Sequence, residues 1–144
     1  MLQKYTLLEQ QLISEAIRIR RRAYAPYSNF KVGAALLDIN GNIHTGCNIE
    51  SADYTLTSHA EMVAVDSMIK SGCLKIKIII IVLACGENIP VPCGLCRQKI
   101  REFASTGDMK IIGINISAEE EIKSIFEFTL NELLPHSFGG EFLK

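Results

Sequence analysis

Residues 76–84 read IKIIIIVLA. Apart from Lys77, every position is apolar, and most are β-branched. The run through Cys85 is too short to span a bilayer, which needs about 20 apolar residues. An unbroken apolar, β-branched run of this length instead marks a strand covered on both faces. Such a strand lies inside a sheet with helices against it, so the neighbouring segments are expected to supply those helices.

Upstream, Ala60, Val63, Ala64, Met68 and Ile69 repeat at helical spacing, with Ser58 as the expected N-cap and Gly72 as the stop. Downstream, GENIPV (86–91) is a loop, and Pro92 is placed to open a helix over CGLCRQKIREFAS (93–105). Lys110–Ile116 reads as another strand. Nearer the N-terminus, Leu8, Leu12, Ala16 and Ile19 outline one face of a helix, which Pro26 ends. KVGAALL (31–37) and Ile43–Cys47 then flank Asn40-Gly41, a hairpin signal. Residues 118–134 fit a helix by spacing. IKSIFEF also fits a strand, and Thr129 to Glu132 forms a capping box that would start a short helix. Strand followed by short helix is the preferred reading. The order α-β-β-α-β-α-β-β-α predicts helices packed on a mixed sheet.

The chain has 144 residues, expected to form a single domain over 1–144. Its 15 basic and 16 acidic residues leave a net charge of −1, with no basic excess to bind nucleic acid by counterion release. The basic cluster RIRRR (18–22) suits the solvated end of a helix. MLQKYTLLEQQ (1–11) lacks a signal-peptide pattern, and five cysteines is an odd count, so a cytoplasmic protein with no membrane span is expected. A positive mean hydropathy weakly suggests that other subunits cover some apolar surface.

PCGLC (92–96) carries two thiols three residues apart. Taken alone, the pair could be packing, a redox dithiol or half of a metal site. SHAE (58–61) places His59 at the other helix start, 30 residues separating Glu61 from Pro92. Two helix N-termini flanking one strand can aim His59, Cys93 and Cys96 at one point. Three ligands, an open fourth position and a nearby carboxylate, Glu61, describe a hydrolytic zinc centre. His-x-Glu followed by Pro-Cys-x-x-Cys is the zinc-deaminase signature.

With these motifs in order, and with APYSNFKVGAALL (25–37), GCNIE (46–50), PCGLCRQ (92–98) and NELLPHSFGG (131–140) beside them, the sequence resembles the short, homotetrameric cytidine deaminases nearly end to end. That resemblance implies an α/β fold, a three-layer α/β/α sandwich around a five-stranded mixed sheet. It implies hydrolytic deamination of cytidine or deoxycytidine in pyrimidine salvage, one zinc per chain, and a homotetramer with composite active sites. His59, Cys93 and Cys96 would hold zinc, and Glu61 would shuttle the proton during attack at C4. Asn48 and Glu50 would take the ribose hydroxyls, the Ala60 N–H the pyrimidine 2-oxo group, and Phe30 and Tyr54 would lie against the substrate. Phe138 resembles the aromatic that reaches a neighbouring subunit's base. Gln98 would support the thiolate helix, and Cys47, Cys73 and Cys85 would be buried packing residues.

The chain departs from the family pattern at four positions. His59 stands where short members usually have a third cysteine, and Met62 where they have an arginine. Two thiolates and a neutral imidazole balance zinc without that added charge, so the two changes agree. Ser51 and Asp53 also depart. An Asp53 aimed into the pocket would favour a cationic substrate such as a blasticidin-type nucleoside; a turn aspartate would not. Three readings remain open: a cytidine deaminase, a deaminase of another aminopyrimidine, and a zinc-stabilised binding module without turnover.

Overall fold

The computed structural model describes residues 1–144. Helix α1 (Leu7–Arg20) begins at Thr6, whose side chain and that of Glu9 form a reciprocal capping box. It buries Leu12, Ile13 and Ala16, while Leu8, expected on the inner face, is exposed. Strands β1 (Val32–Asp38) and β2 (Ile43–Cys47) form the hairpin around Asn40-Gly41, with Gly41 at φ 87°. Then follow α2 (Ala60–Lys70), β3 (Ile76–Leu83), α3 (Gly94–Phe103), β4 (Lys110–Ile116), β5 (Ile122–Thr129) and α4 (Leu130–Leu133). The ambiguous C-terminal stretch is therefore strand then helix, with the Thr129–Glu132 capping box in place.

The five strands are ordered β2-β1-β3-β4-β5, with β3 and β4 parallel and the other pairs antiparallel. Side-chain alternation along β3 divides the core. Ile79, Ile81 and Leu83 face a cluster with Ala64, Met68 and Ile100, from α2 and α3. Ile78, Ile80 and Val82 face Leu12, Ile13 and Ala16 of α1. Both faces of the central strand are thus covered, as its sequence requires, giving an α/β/α sandwich. No helix is long and apolar enough to cross a membrane.

Two helix starts differ from the sequence expectation. The α2 N-cap is His59, not Ser58, because Ser58 is held in a bridge with Ile49 and extends the chain one residue further. The α3 N-cap is Cys93, so Pro92 precedes the helix instead of opening it. Neither cap residue makes a side-chain cap bond. Gly46 lets α2 lie directly on β2: a Cβ there would stand 2.3 Å from the Ala60 carbonyl and 2.5 Å from the Ala64 nitrogen.

Candidate metal centre and active site

Strand register brings the site together at one end of the sheet. Val32 at the start of β1 pairs with Leu83 at the end of β3, and Gly33 pairs with Cys47 at the end of β2. Residues leaving β2 and β3 therefore emerge beside those entering β1. The chain from Asn48 to Glu50 is then fixed from both sides: Ile49 and Ser58 exchange N–H···O bonds of 2.9 Å, and Tyr24 bonds to Asn48 and Glu50. That clasp delivers the chain to His59 at the start of α2. Across β3, buried Asn115 accepts the Cys85 N–H at 3.0 Å and donates to the Gly86 carbonyl at 2.7 Å, shaping the loop toward Cys93. Arg97 secures that loop through the Pro92 carbonyl at 2.7 Å and ties it to the Leu133 carbonyl at 2.8 Å.

His59 Nδ1 lies 3.3 Å from both Cys93 Sγ and Cys96 Sγ. The three donor atoms all fall within 4.8 Å of one another. Ligands sharing one tetrahedral zinc, at about 2.3 Å for sulfur and 2.0–2.1 Å for nitrogen, stand about 3.5 Å apart, so the spacing fits zinc. The donor chemistry agrees. Two cysteine sulfurs and an imidazole nitrogen are ligand types that zinc takes; burial, with Glu61 and Cys93 nearby, pushes the Cys96 thiol up. No fourth side chain joins the group.

Two of these donors, His59 and Cys93, border a cavity of about 290 Å³. Glu61 reaches it from the first turn of α2 with 5% of its surface exposed, and burial raises its carboxyl pKa. Phe30, Val32, Leu83 and Val91 supply apolar walls, and Ala60 lines the cavity as well. Asn48, Glu50 and Ser28 form a polar part of the lining. The Ser28 hydroxyl, joined by the Ser28 and Tyr27 N–H groups, outweighs the upward push of burial and holds the Glu50 carboxyl below its ordinary value. Of the residues expected at the site, His59, Cys93, Glu61, Phe30, Asn48, Glu50 and Ala60 line the cavity, with Cys96 behind the first two. Tyr54 and Phe138 do not. Tyr54 is exposed at φ 62°, its ring edge-on to Tyr27, and Phe138 is exposed and stacks on Phe142.

Asp53 Oδ1 accepts its own loop's Leu56 N–H at 3.3 Å and does not line the cavity. It is the turn aspartate of the two readings weighed for it. Gln98 donates to the Phe138 carbonyl at 3.0 Å, tying the helix that carries Cys96 to the C-terminal segment, and it does not line the cavity. Cys47 and Cys73 are buried, whereas Cys85 is half-buried and its Sγ lies 3.0 Å from the Asn88 carbonyl. Arg21, from the cluster expected in solvent, pairs with Glu120 at 2.6 Å. Ser28, Thr57 and Val91 line the cavity without having been singled out in the sequence. Ser28 sits within the APYSNF turn, but only the fold shows that Glu50 approaches it.

The family model for the "Cytidine and deoxycytidylate deaminase zinc-binding region" matches residues 7–112. A cytidine deaminase of Sporosarcina psychrophila is 40% identical over 135 residues, covering 94% of each chain. One of Halalkalibacterium halodurans is 41% identical over 132 residues, covering 92% of this chain and 95% of that one. The crystal structure of cytidine deaminase from Burkholderia pseudomallei superposes with a TM-score of 0.81 at 34% identity, covering 93% of this chain and all of that one. Shared along nearly the whole length, in sequence and in fold, this likeness places the chain in the cytidine and deoxycytidylate deaminase family.

Proposed function

We propose that this protein, as a single domain over residues 1–144, hydrolytically deaminates cytidine and deoxycytidine in pyrimidine salvage, releasing ammonia and the uridine product. The observation that carries the reading is Glu61, a nearly covered carboxyl group beside three metal donors and open to a nucleoside-sized cavity. A zinc-stabilised binding module has no use for a carboxyl group there, since a buried acid costs stability unless it has work to do.

His59, Cys93 and Cys96 hold the metal. When bound, zinc supplies a Lewis acid that makes water acidic enough to attack near neutral pH. The apolar walls exclude bulk water and suit a flat pyrimidine face. Ala60 is the first residue of α2, so its N–H has no intrahelical acceptor and is free to bind the 2-oxo group. Glu50 and Asn48 take sugar hydroxyls. Glu61 removes one proton from the attacking water and passes it to ring N3; it then takes the remaining hydroxyl proton, as C4 becomes a carbonyl, and delivers it to the departing amine. Its burial keeps that proton from exchanging freely with solvent.

The same proposal has the chain working in the cytoplasm as a homotetramer with composite sites. Five unpaired cysteines suit a reducing compartment. Tyr54, Leu56 and Leu95, neighbours in sequence of the cavity and metal residues, are 65%, 74% and 60% exposed, an apolar rim suited to a second subunit.

The test is an ultraviolet assay on the zinc-quantified protein, following loss of the 4-amino chromophore of cytidine and deoxycytidine. Rapid loss with about one zinc per chain is expected. Absence of turnover at full zinc occupancy would overturn the assignment.

A further inference from the structure

Glu50 is surrounded by donors from a single turn. Its Oε1 accepts the backbone N–H groups of Tyr27 at 3.0 Å and Ser28 at 3.1 Å. Its Oε2 accepts the Ser28 hydroxyl. The same hydroxyl oxygen accepts the Phe30 N–H at 3.0 Å. Phe30 is held in turn, its carbonyl accepting the Asn48 Nδ2 at 2.8 Å while Asn48 Oδ1 accepts the Val32 N–H at 2.8 Å.

Hydrogen-bond capacity gives this network a direction. A carboxylate oxygen has about two acceptor positions, and both on Oε1 are filled by backbone. A substrate hydroxyl is therefore left with Oε2, the oxygen that Ser28 holds. Ser28 has one hydroxyl proton, and because the carboxylate can only accept, that proton is given to Glu50 while a lone pair on the same oxygen accepts from Phe30. The single vacant acceptor position on Glu50 thus points where the Ser28 hydroxyl leaves room. Ser28 itself is exposed, so replacing it opens no hole in the core.

We propose that Ser28 is a positioning residue for sugar recognition: through Oε2 it orients Glu50 so that one acceptor position faces one hydroxyl of the nucleoside sugar, and it locks that carboxylate to the Phe30 wall. The inference rests on the reading of the cavity as a nucleoside site. It makes Ser28 matter only for substrates that carry the recognised hydroxyl.

The experiment compares wild type, S28A and S28T on 2′-deoxycytidine and 2′,3′-dideoxycytidine, with thermal unfolding and zinc content alongside. Losing one charge-assisted hydrogen bond should lower kcat/KM of S28A on deoxycytidine by about 10–100-fold, chiefly through KM. The dideoxy substrate, already lacking the partner, should lose no more than about 2-fold, because the two deletions remove one interaction. S28T, which keeps the hydroxyl, should recover most of the loss, and the melting temperature and zinc content should stay near wild type. Equal losses on both substrates would make Ser28 a turn residue only and overturn the proposal. Wild type that turns over both substrates equally well would remove Glu50 from sugar recognition and overturn it too, leaving deamination intact. Wild type inactive on both, at full zinc, would take down the nucleoside reading itself and the proposal with it.

Discussion

Glu61 and His59 share a helix turn but test different parts of the chemistry. Glu61→Gln keeps the shape and removes the proton acceptor, so turnover should fall by at least about 10²–10⁴-fold. Zinc content should be unchanged, since Glu61 is not one of the three clustered donors. Metal analysis beside the rate assay separates this from a ligand defect, and an unchanged rate would remove Glu61 from the mechanism. His59 occupies the N-cap position of α2 without capping it, because its Nδ1 faces the two sulfurs. Asparagine is a good N-cap, worth about 1 kcal/mol over a residue that offers no cap. His59→Asn should therefore keep α2 and lose the zinc, and a full zinc equivalent in that variant would disprove the ligand set. The three clustered donors were readable in the sequence because spacing and helix starts constrain them. Ser28 and Asn115 were not, since each acts on a backbone or carboxylate that only long-range register brings near.

The β1–β2 hairpin carries a buried carboxylate network outside the reaction chemistry. Asp38, fully buried, accepts His44 Nε2 at 2.8 Å through one oxygen and the N–H groups of Asn40 and Asn42, each at 2.9 Å, through the other. Burial alone would raise its pKa, but His44 and the two turn amides outweigh it and hold the carboxyl below its ordinary value. A depressed carboxylate stabilises the fold above its unfolded pKa of about 3.9, and that contribution fades as pH falls through the lower folded value. Asp38→Asn replaces the carboxylate that accepts the His44 and turn N–H groups and should cost about 1.5–3 kcal/mol near neutral pH. Urea unfolding should show the gap between variant and wild type narrowing below about pH 4, where the unfolded carboxylate protonates; a gap independent of pH would refute the charge account. The Asn-Gly turn made the hairpin itself legible, and β3, apolar but for Lys77, made its neighbours so. The pairing of Asp38 with His44 was not: His44 stands opposite Leu36, and a diagonal contact across a strand pair leaves no periodic mark in a sequence.

Strand order explains why the molecule's working residues come from such distant stretches. With β1 and β3 antiparallel neighbours, the start of one and the end of the other share an edge, and two ligand-bearing helices begin near it. The sequence carried the elements of that arrangement but not the strand order, and the homotetramer is an implication of the family resemblance alone. Phe138 is where an assembly can be tested. It is 54% exposed, stacks on Phe142 with ring centroids 5.1 Å apart, and lies outside its own chain's cavity. If it serves a neighbour's site, Phe138→Ala should lower kcat/KM by about 10-fold, in line with loss of one aromatic contact to a base. The decisive experiment mixes unfolded Phe138→Ala and Glu61→Gln chains and refolds them together. Mixed oligomers then contain sites with an intact Glu61 from one chain and an intact Phe138 from the other, so activity should exceed the sum of the two variants refolded separately. Sites confined to one chain cannot be repaired this way, since every Glu61-bearing chain in the mixture lacks its own Phe138; strictly additive activity would leave Phe138 as a partner of Phe142 and nothing more.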